Sequence, residues 1–177
     1  MGGARNLFLI GMMGAGKTTL GRLLARRLKR PFYDSDHEVE QRCGVEIAVI
    51  FDIEGEAGFR ARETQVIDAL SALDGVVLAT GGGAVLDPET RRRLAARGTV
   101  VYLHAEPAEL YQRLRHDRKR PLLATPDPRR RLEQLYAQRD PLYREVADCI
   151  IDTGRQSASV LARELLGRLE EEWKLSA

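Results

Sequence analysis

The chain has 177 residues, 44% of them hydrophobic and 31% charged, with a formal net charge of +2. That length suits one packed core, and the composition excludes intrinsic disorder and gives no charge-based reason to expect nucleic acid. No apolar run approaches the ~20 residues of a membrane span, the N-terminus lacks a signal-peptide core, and Cys43 and Cys149 have neither metal-ligand nor redox spacing; the expectation is a cytoplasmic protein with reduced thiols.

Leu7-Phe8-Leu9-Ile10 reads as a buried strand, and Leu20, Leu23, Leu24 and Leu28 mark one face of a helix. Between them stands Gly11-Met12-Met13-Gly14-Ala15-Gly16-Lys17-Thr18-Thr19, with Gly11, Gly16, Lys17 and Thr18 in the G-x-x-x-x-G-K-S/T spacing. Strand, glycine loop and helix together make an anion cradle of backbone N–H groups at a positive helix end. Gly14 to Thr19 would wrap the phosphates of a nucleoside triphosphate, Lys17 would reach the β- and γ-phosphates, and the Thr18 hydroxyl would ligate Mg²⁺.

Pro31 to Asp34 reads as a second strand that ends in carboxylates. Helical patterns follow through Glu40, from Val45 to Phe51, and from about Glu56 to Leu73. Val76 to Thr80 is a strand running into Gly81-Gly82-Gly83, and Asp87-Pro88 opens a helix through Arg97. Thr99 to Leu103 is the next strand, followed by a helix from Pro107 to about Arg115 and a mobile loop over 116–126. Asp127-Pro128 starts a helix to about Ala147, with a break expected at Pro141. Cys149 to Ile151 is the last strand, and Ser157 can cap a terminal helix carrying Val160, Leu161, Leu165 and Leu169. Alternating strands and helices imply an α/β fold with a mostly parallel sheet, and no linker or repeat divides residues 1–177.

Mg²⁺ beside a triphosphate calls for a carboxylate at the end of a neighbouring strand, and Asp34 stands there; the alternative is an acidic surface turn. Asp36 is left for the acceptor. A carboxylate would repel a phosphate acceptor, but it can take the proton of an alcohol or aim its lone pair at the γ-phosphorus. His37 reads as a helix-surface residue. Arg60 and Glu63 share a helix face, either as a surface ion pair or with Glu63 orienting Arg60 toward a substrate carboxylate. Three glycines in a row after a strand favour close backbone approach to a ligand. The basic cluster of Arg113, Arg115, Arg118, Lys119, Arg120, Arg129, Arg130 and Arg131 has no interleaved aromatics, so a solvated face or phosphate-handling lid explains it better than nucleic acid.

From Leu7 to about Leu169 the chain resembles the shikimate kinases. The matching blocks are GMMGAGKTTLGRLLA at 11–25, D-S-D at 34–36, GEAGFRARE at 55–63, TGGG at 80–83, RPLL at 120–123 and RDPLYREVAD at 139–148. The resemblance implies a P-loop kinase fold of the nucleoside monophosphate kinase type, a five-stranded parallel sheet flanked by helices with a mobile lid at about 113–126 and shikimate-binding helices at about 36–63. It implies transfer of the ATP γ-phosphate to the 3-hydroxyl of shikimate, in aromatic amino acid biosynthesis, by a monomer that binds neither nucleic acid nor membrane. Asp36 would activate the hydroxyl, while Arg60, Arg139 and the backbone around Gly82, between Gly81 and Gly83, would bind the shikimate carboxylate. Arg120 would close over the transferring phosphoryl, and Arg113 would lie against the adenine beside a loop carrying Arg155 and Gln156. Phe51 and Phe59 would wall the sugar-like ring, or equally be core. The run His116-Asp117-Arg118-Lys119 is more charged than the family's lid suggests. The rivals are another small-molecule P-loop kinase, such as a gluconate kinase, and a nucleotide-binding regulatory module.

Overall fold

The computed structural model describes residues 5–175. Five strands, β1 (Asn6–Ile10), β2 (Phe32–Asp34), β3 (Val77–Ala79), β4 (Gly98–His104) and β5 (Cys149–Asp152), form one parallel sheet in the order β2-β3-β1-β4-β5. Every pairing is parallel, with Leu7 opposite Val77 on one side and Thr99 on the other. Strands covered on both faces must be apolar throughout, and Leu7 to Ile10, Val77 to Ala79 and Val100 to Leu103 are all buried.

Among the described residues, seven α-helical spans surround the sheet: α1 (Lys17–Leu28), α2 (Ser35–Cys43), α3 (Ile47–Ser71), α4 (Pro88–Arg97), α5 (Pro107–Leu114), α6 (Pro128–Val146) and α7 (Ala158–Leu175). Their starts follow the local chemistry of the sequence. Asp87 and Asp127 accept from the backbone N–H of Thr90 and Arg130, each at 3.1 Å with a proline in the first turn, and Ser157 Oγ accepts from Val160 N at 3.3 Å. Among the described residues, no helix is long and apolar enough to cross a membrane.

One expectation needs correction. The break expected at Pro141 does not occur, because α6 runs through it to Val146. Tyr143 and Val146 are buried beyond the proline, so packing of this last turn outweighs the lost N–H donor. The expected division between a helix ending near Phe51 and one starting at about Glu56 is present: α3 is two helices that meet in a kink at Gly55, whose φ of 72° and ψ of −178° are not helical. The 116–126 connection is also not featureless: Pro121–Leu123 forms a 3₁₀ turn with Leu123 against the core.

The strand order reverses direction at β1, whose neighbours are β3 and β4. In open parallel sheets, ligands bind at the carboxyl ends of the strands where the order reverses. The glycine loop follows β1, Asp34 ends β2, Thr80 and the three glycines follow β3, and Thr153 and Gly154 follow β5. One sheet edge thus gathers all four segments.

Candidate active site

That edge opens into a cleft of about 1100 Å³, lined by the glycine loop, Asp34, Asp36, Arg60, Arg139 and the 117–122 segment. Its floor is the loop from Gly11 to Thr19. Gly14 and Gly16 have φ of 81° and 94°, left-handed values that a side chain would strain, and Gly16 is the N-cap of α1. The N-terminus of α1 therefore faces the cleft. Lys17 folds back onto the loop, donating to the carbonyls of Gly11 and Met12 at 2.5 and 2.9 Å. Burial pulls its pKa down to about 8, against the opposing pull of Asp36. An arriving phosphate would give this desolvated ammonium a counter-charge that the two carbonyls do not supply.

Beside the cradle, Thr18 Oγ1 donates to Asp34 Oδ2 at 2.7 Å. The other Asp34 oxygen caps α2, accepting from Asp36 N at 3.0 Å and His37 N at 3.3 Å. A hydroxyl and a carboxylate side by side at a phosphate cradle are hard oxygen donors, the type that Mg²⁺ takes along with phosphate oxygens and water. The cap also fixes Asp36 at the first turn of α2. Burial raises the Asp36 pKa, Asp34 raises it further, and Lys17, Arg120 and Arg60 oppose them. The Asp36 carboxyl is thus a stronger base than a solvated aspartate, set among cations. His37 is exposed.

The far wall is built around two arginines. Arg60 Nη1 donates to Glu63 Oε1 at 2.8 Å and Nη2 to Glu56 at 3.3 Å, with the guanidinium 5.2 Å from the Phe59 ring centre. The Arg60–Glu63 pair is not the surface pair that spacing alone allowed, since Glu63 is 2% exposed. Burial raises the Glu63 pKa to about 7, with Arg60 opposing. Arg139 is 1% exposed, and its Nε and Nη1, like Arg60 Nε, have no hydrogen-bond partner. The rings of Phe51 and Phe59 lie 5.1 Å apart, tilted by 37°, with Phe59 buried and Phe51 partly so.

The glycine triplet has a steric explanation. A Cβ on Gly81 would fall 2.6 Å from Asp36 Oδ1 and 2.5 Å from Glu63 Oε2; on Gly82 it would meet Arg139 Nη1 at 3.2 Å; on Gly83 it would overlap the Arg60 guanidinium. All three have φ outside the left-handed region. The need is for space, because charged groups of the cleft already occupy the side-chain positions at Gly81 and Gly83 and crowd the one at Gly82.

Over the mouth, Arg120 Nε donates to Asp117 Oδ2 at 3.3 Å, and Lys119 N donates to the other Asp117 oxygen at 2.8 Å. Arg113 ties two segments together, donating to Gly14 O at 3.0 Å and to Gly154 O at 2.9 Å. Arg155 and Gln156 lie exposed just beyond Gly154.

Four contributors escaped the sequence reading. Ser35 Oγ accepts from Gly81 N at 2.8 Å, Asp117 holds Arg120, and the Tyr143 hydroxyl donates to Gly82 O. His104 bridges Asp152 and Tyr136 at the end of β4. Only Tyr143 left a readable signal: it stands four residues after Arg139, on the same face of one helix.

Known proteins resemble this chain closely. The family model for shikimate kinase matches residues 13–170. The shikimate kinase of Ralstonia nicotianae is 62% identical over 165 residues, covering 93% of this chain and 87% of that one. A solved structure of the shikimate kinase from Acinetobacter baumannii in complex with shikimate superposes with a TM-score of 0.93 at 47% identity, covering 96% of this chain and 94% of that one. The crystal structure of the shikimate kinase from Bacteroides thetaiotaomicron gives 0.85 at 33% identity, covering 94% and 98%. With a nucleoside monophosphate kinase-like P-loop fold and a match of this extent, the chain belongs to the shikimate kinase family.

Proposed function

We propose that this chain is an ATP-dependent shikimate kinase, transferring the γ-phosphoryl of ATP to the 3-hydroxyl of shikimate. Beyond family membership, one observation carries this reading. Arg139 is a buried guanidinium with two nitrogens unpartnered, beside a second arginine with one, on the wall of a cleft whose floor is a phosphate cradle. A buried guanidinium with donors left over is costly unless an anion completes it, so Arg139, beside Arg60 with its own spare Nε, calls for a negatively charged substrate group. Asp36 lies between wall and floor, where it suits an alcohol.

In this reading the backbone from Gly14 to Thr19 and Lys17 grip the triphosphate, with Arg113, Arg155 and Gln156 on the adenine side. Thr18 and Asp34 hold Mg²⁺, which when bound neutralises charge on the phosphates. Arg60 and Arg139 take the shikimate carboxylate, with Glu63 fixing Arg60 and the backbone of Gly81 to Gly83 fitting closely around both. Phe51 and Phe59 wall the ring. Asp36 aims the 3-hydroxyl at the γ-phosphorus and accepts its proton, and its raised pKa suits it to hold that proton. Arg120 approaches the moving phosphoryl as the 113–126 lid closes. Phosphoryl transfer asks mainly for such positioning and charge neutralisation.

The chain is read as a single kinase domain, a cytoplasmic monomer engaging neither nucleic acid nor membrane, with the helices over 36–63 holding shikimate. A gluconate kinase would share the cradle but leaves the paired blocks around Arg60 and Arg139 without a purpose. A regulatory module would bind ATP without turning it over. A panel of hydroxy acids in a coupled ADP-release assay separates the three. ADP release with shikimate alone, and a product phosphorylated at the 3-hydroxyl by NMR, is the expected result; release with gluconate, or with none, would replace the reading.

A further inference from the structure

We propose that Tyr143 is a positioning residue for the carboxylate subsite, setting the Gly82 peptide beside the Arg139 guanidinium. This rests on the shikimate reading above. The segment Gly81-Gly82-Gly83 has no side chains to hold it, so its three peptides need outside anchors. Gly81 has one through its N–H to Ser35 Oγ, and Gly83 has one through its carbonyl, which accepts from Leu86 N at 3.1 Å. Gly82 is held through its carbonyl by the Tyr143 hydroxyl.

The same side chain stands one helical turn from Arg139 on α6. Arg139 in turn lies 3.2 Å from the position a Gly82 Cβ would take. Tyr143 is itself fixed from the sheet. It is fully buried, with its ring 4.8 Å from that of Tyr102 on β4. A strand thus locates a tyrosine that locates the middle glycine peptide beside Arg139. Removing the hydroxyl frees the middle glycine peptide while leaving every charge in place.

The test compares binding of shikimate and its methyl ester, by calorimetry, to the wild type, Tyr143→Phe and Tyr102→Phe. The wild type should prefer the acid. Tyr143→Phe should lose about tenfold of that preference, the scale of one charge-assisted hydrogen bond, with ATP affinity unchanged. Tyr102→Phe keeps both rings and the bond to Gly82, so it should keep the preference while reporting any general loss of stability. An unchanged acid-to-ester ratio in Tyr143→Phe, or an equal loss in Tyr102→Phe, would overturn the positioning role alone. A wild type that does not discriminate acid from ester would overturn it together with the carboxylate reading.

Discussion

At the scale of single residues, the cleft keeps groups in states that water would not favour. Glu63 is the clearest case. Folded, it titrates near 7 because of burial, whereas its ordinary value is 4.5. Between those values the folded chain holds the extra proton, so stability falls as pH rises through the window, and the loss is complete above about 7. Asp36 adds to this shift, while Arg60 and Arg139 resist it. Glu63→Gln has no charge to bury, so its melting temperature should gain on that of the wild type between pH 5 and pH 7.5. The gain should be several degrees, corresponding to ~2–3 kcal/mol, read from thermal melts of ligand-free protein. A gap that does not change with pH would show that Glu63 ionises freely. Arg60 makes a complementary case. Arg60→Ala should weaken shikimate binding tenfold or more, since a hydrogen bond to a charged group contributes ~1.5–3 kcal/mol. Unchanged affinity by calorimetry would remove Arg60 from the substrate wall.

Elements explain why these residues meet at all. The β2–α2 turn delivers Asp34 and Asp36, the kinked α3 delivers Arg60 and Glu63, α6 delivers Arg139, and the β3 exit is stripped of side chains to receive them. The 116–126 connection is the element with the least regular structure, yet Leu123 anchors it to the core. If it closes to bring Arg120 onto the phosphoryl, Arg120→Ala should lower kcat far more than it changes the KM for shikimate; equal losses in steady-state kinetics would tell against that role. Strand positions, helix caps and the glycine loop were legible in the sequence because each depends on local chemistry. The smooth passage of α6 through Pro141 was not, because packing of the final turn decides it. Nor was the steric reason for the three glycines, which involves carboxylates and guanidinia 18 to 57 residues away in the chain. His104 is ordinary in sequence and meets Asp152 only when β4 and β5 are aligned, whereas Asp117 meets Arg120 three residues on, in a connection whose sequence has no sustained period.

Across the whole molecule, one sheet edge brings a phosphate cradle and a cationic wall to opposite sides of a single cleft, and Asp36 stands where they meet. Such an arrangement makes triphosphate binding and phosphoryl transfer separable. The cradle belongs to β1 and α1, whereas the acceptor acid belongs to α2 and is raised in pKa chiefly by its burial. Asp36→Asn preserves size and the cap from Asp34 while removing the base. The most direct measurement is therefore ATP affinity and shikimate-dependent ADP release in the wild type and in Asp36→Asn. The account predicts an ATP dissociation constant within about twofold of wild type and shikimate-dependent turnover lower by roughly 10²-fold or more. Near-normal turnover in Asp36→Asn would contradict it.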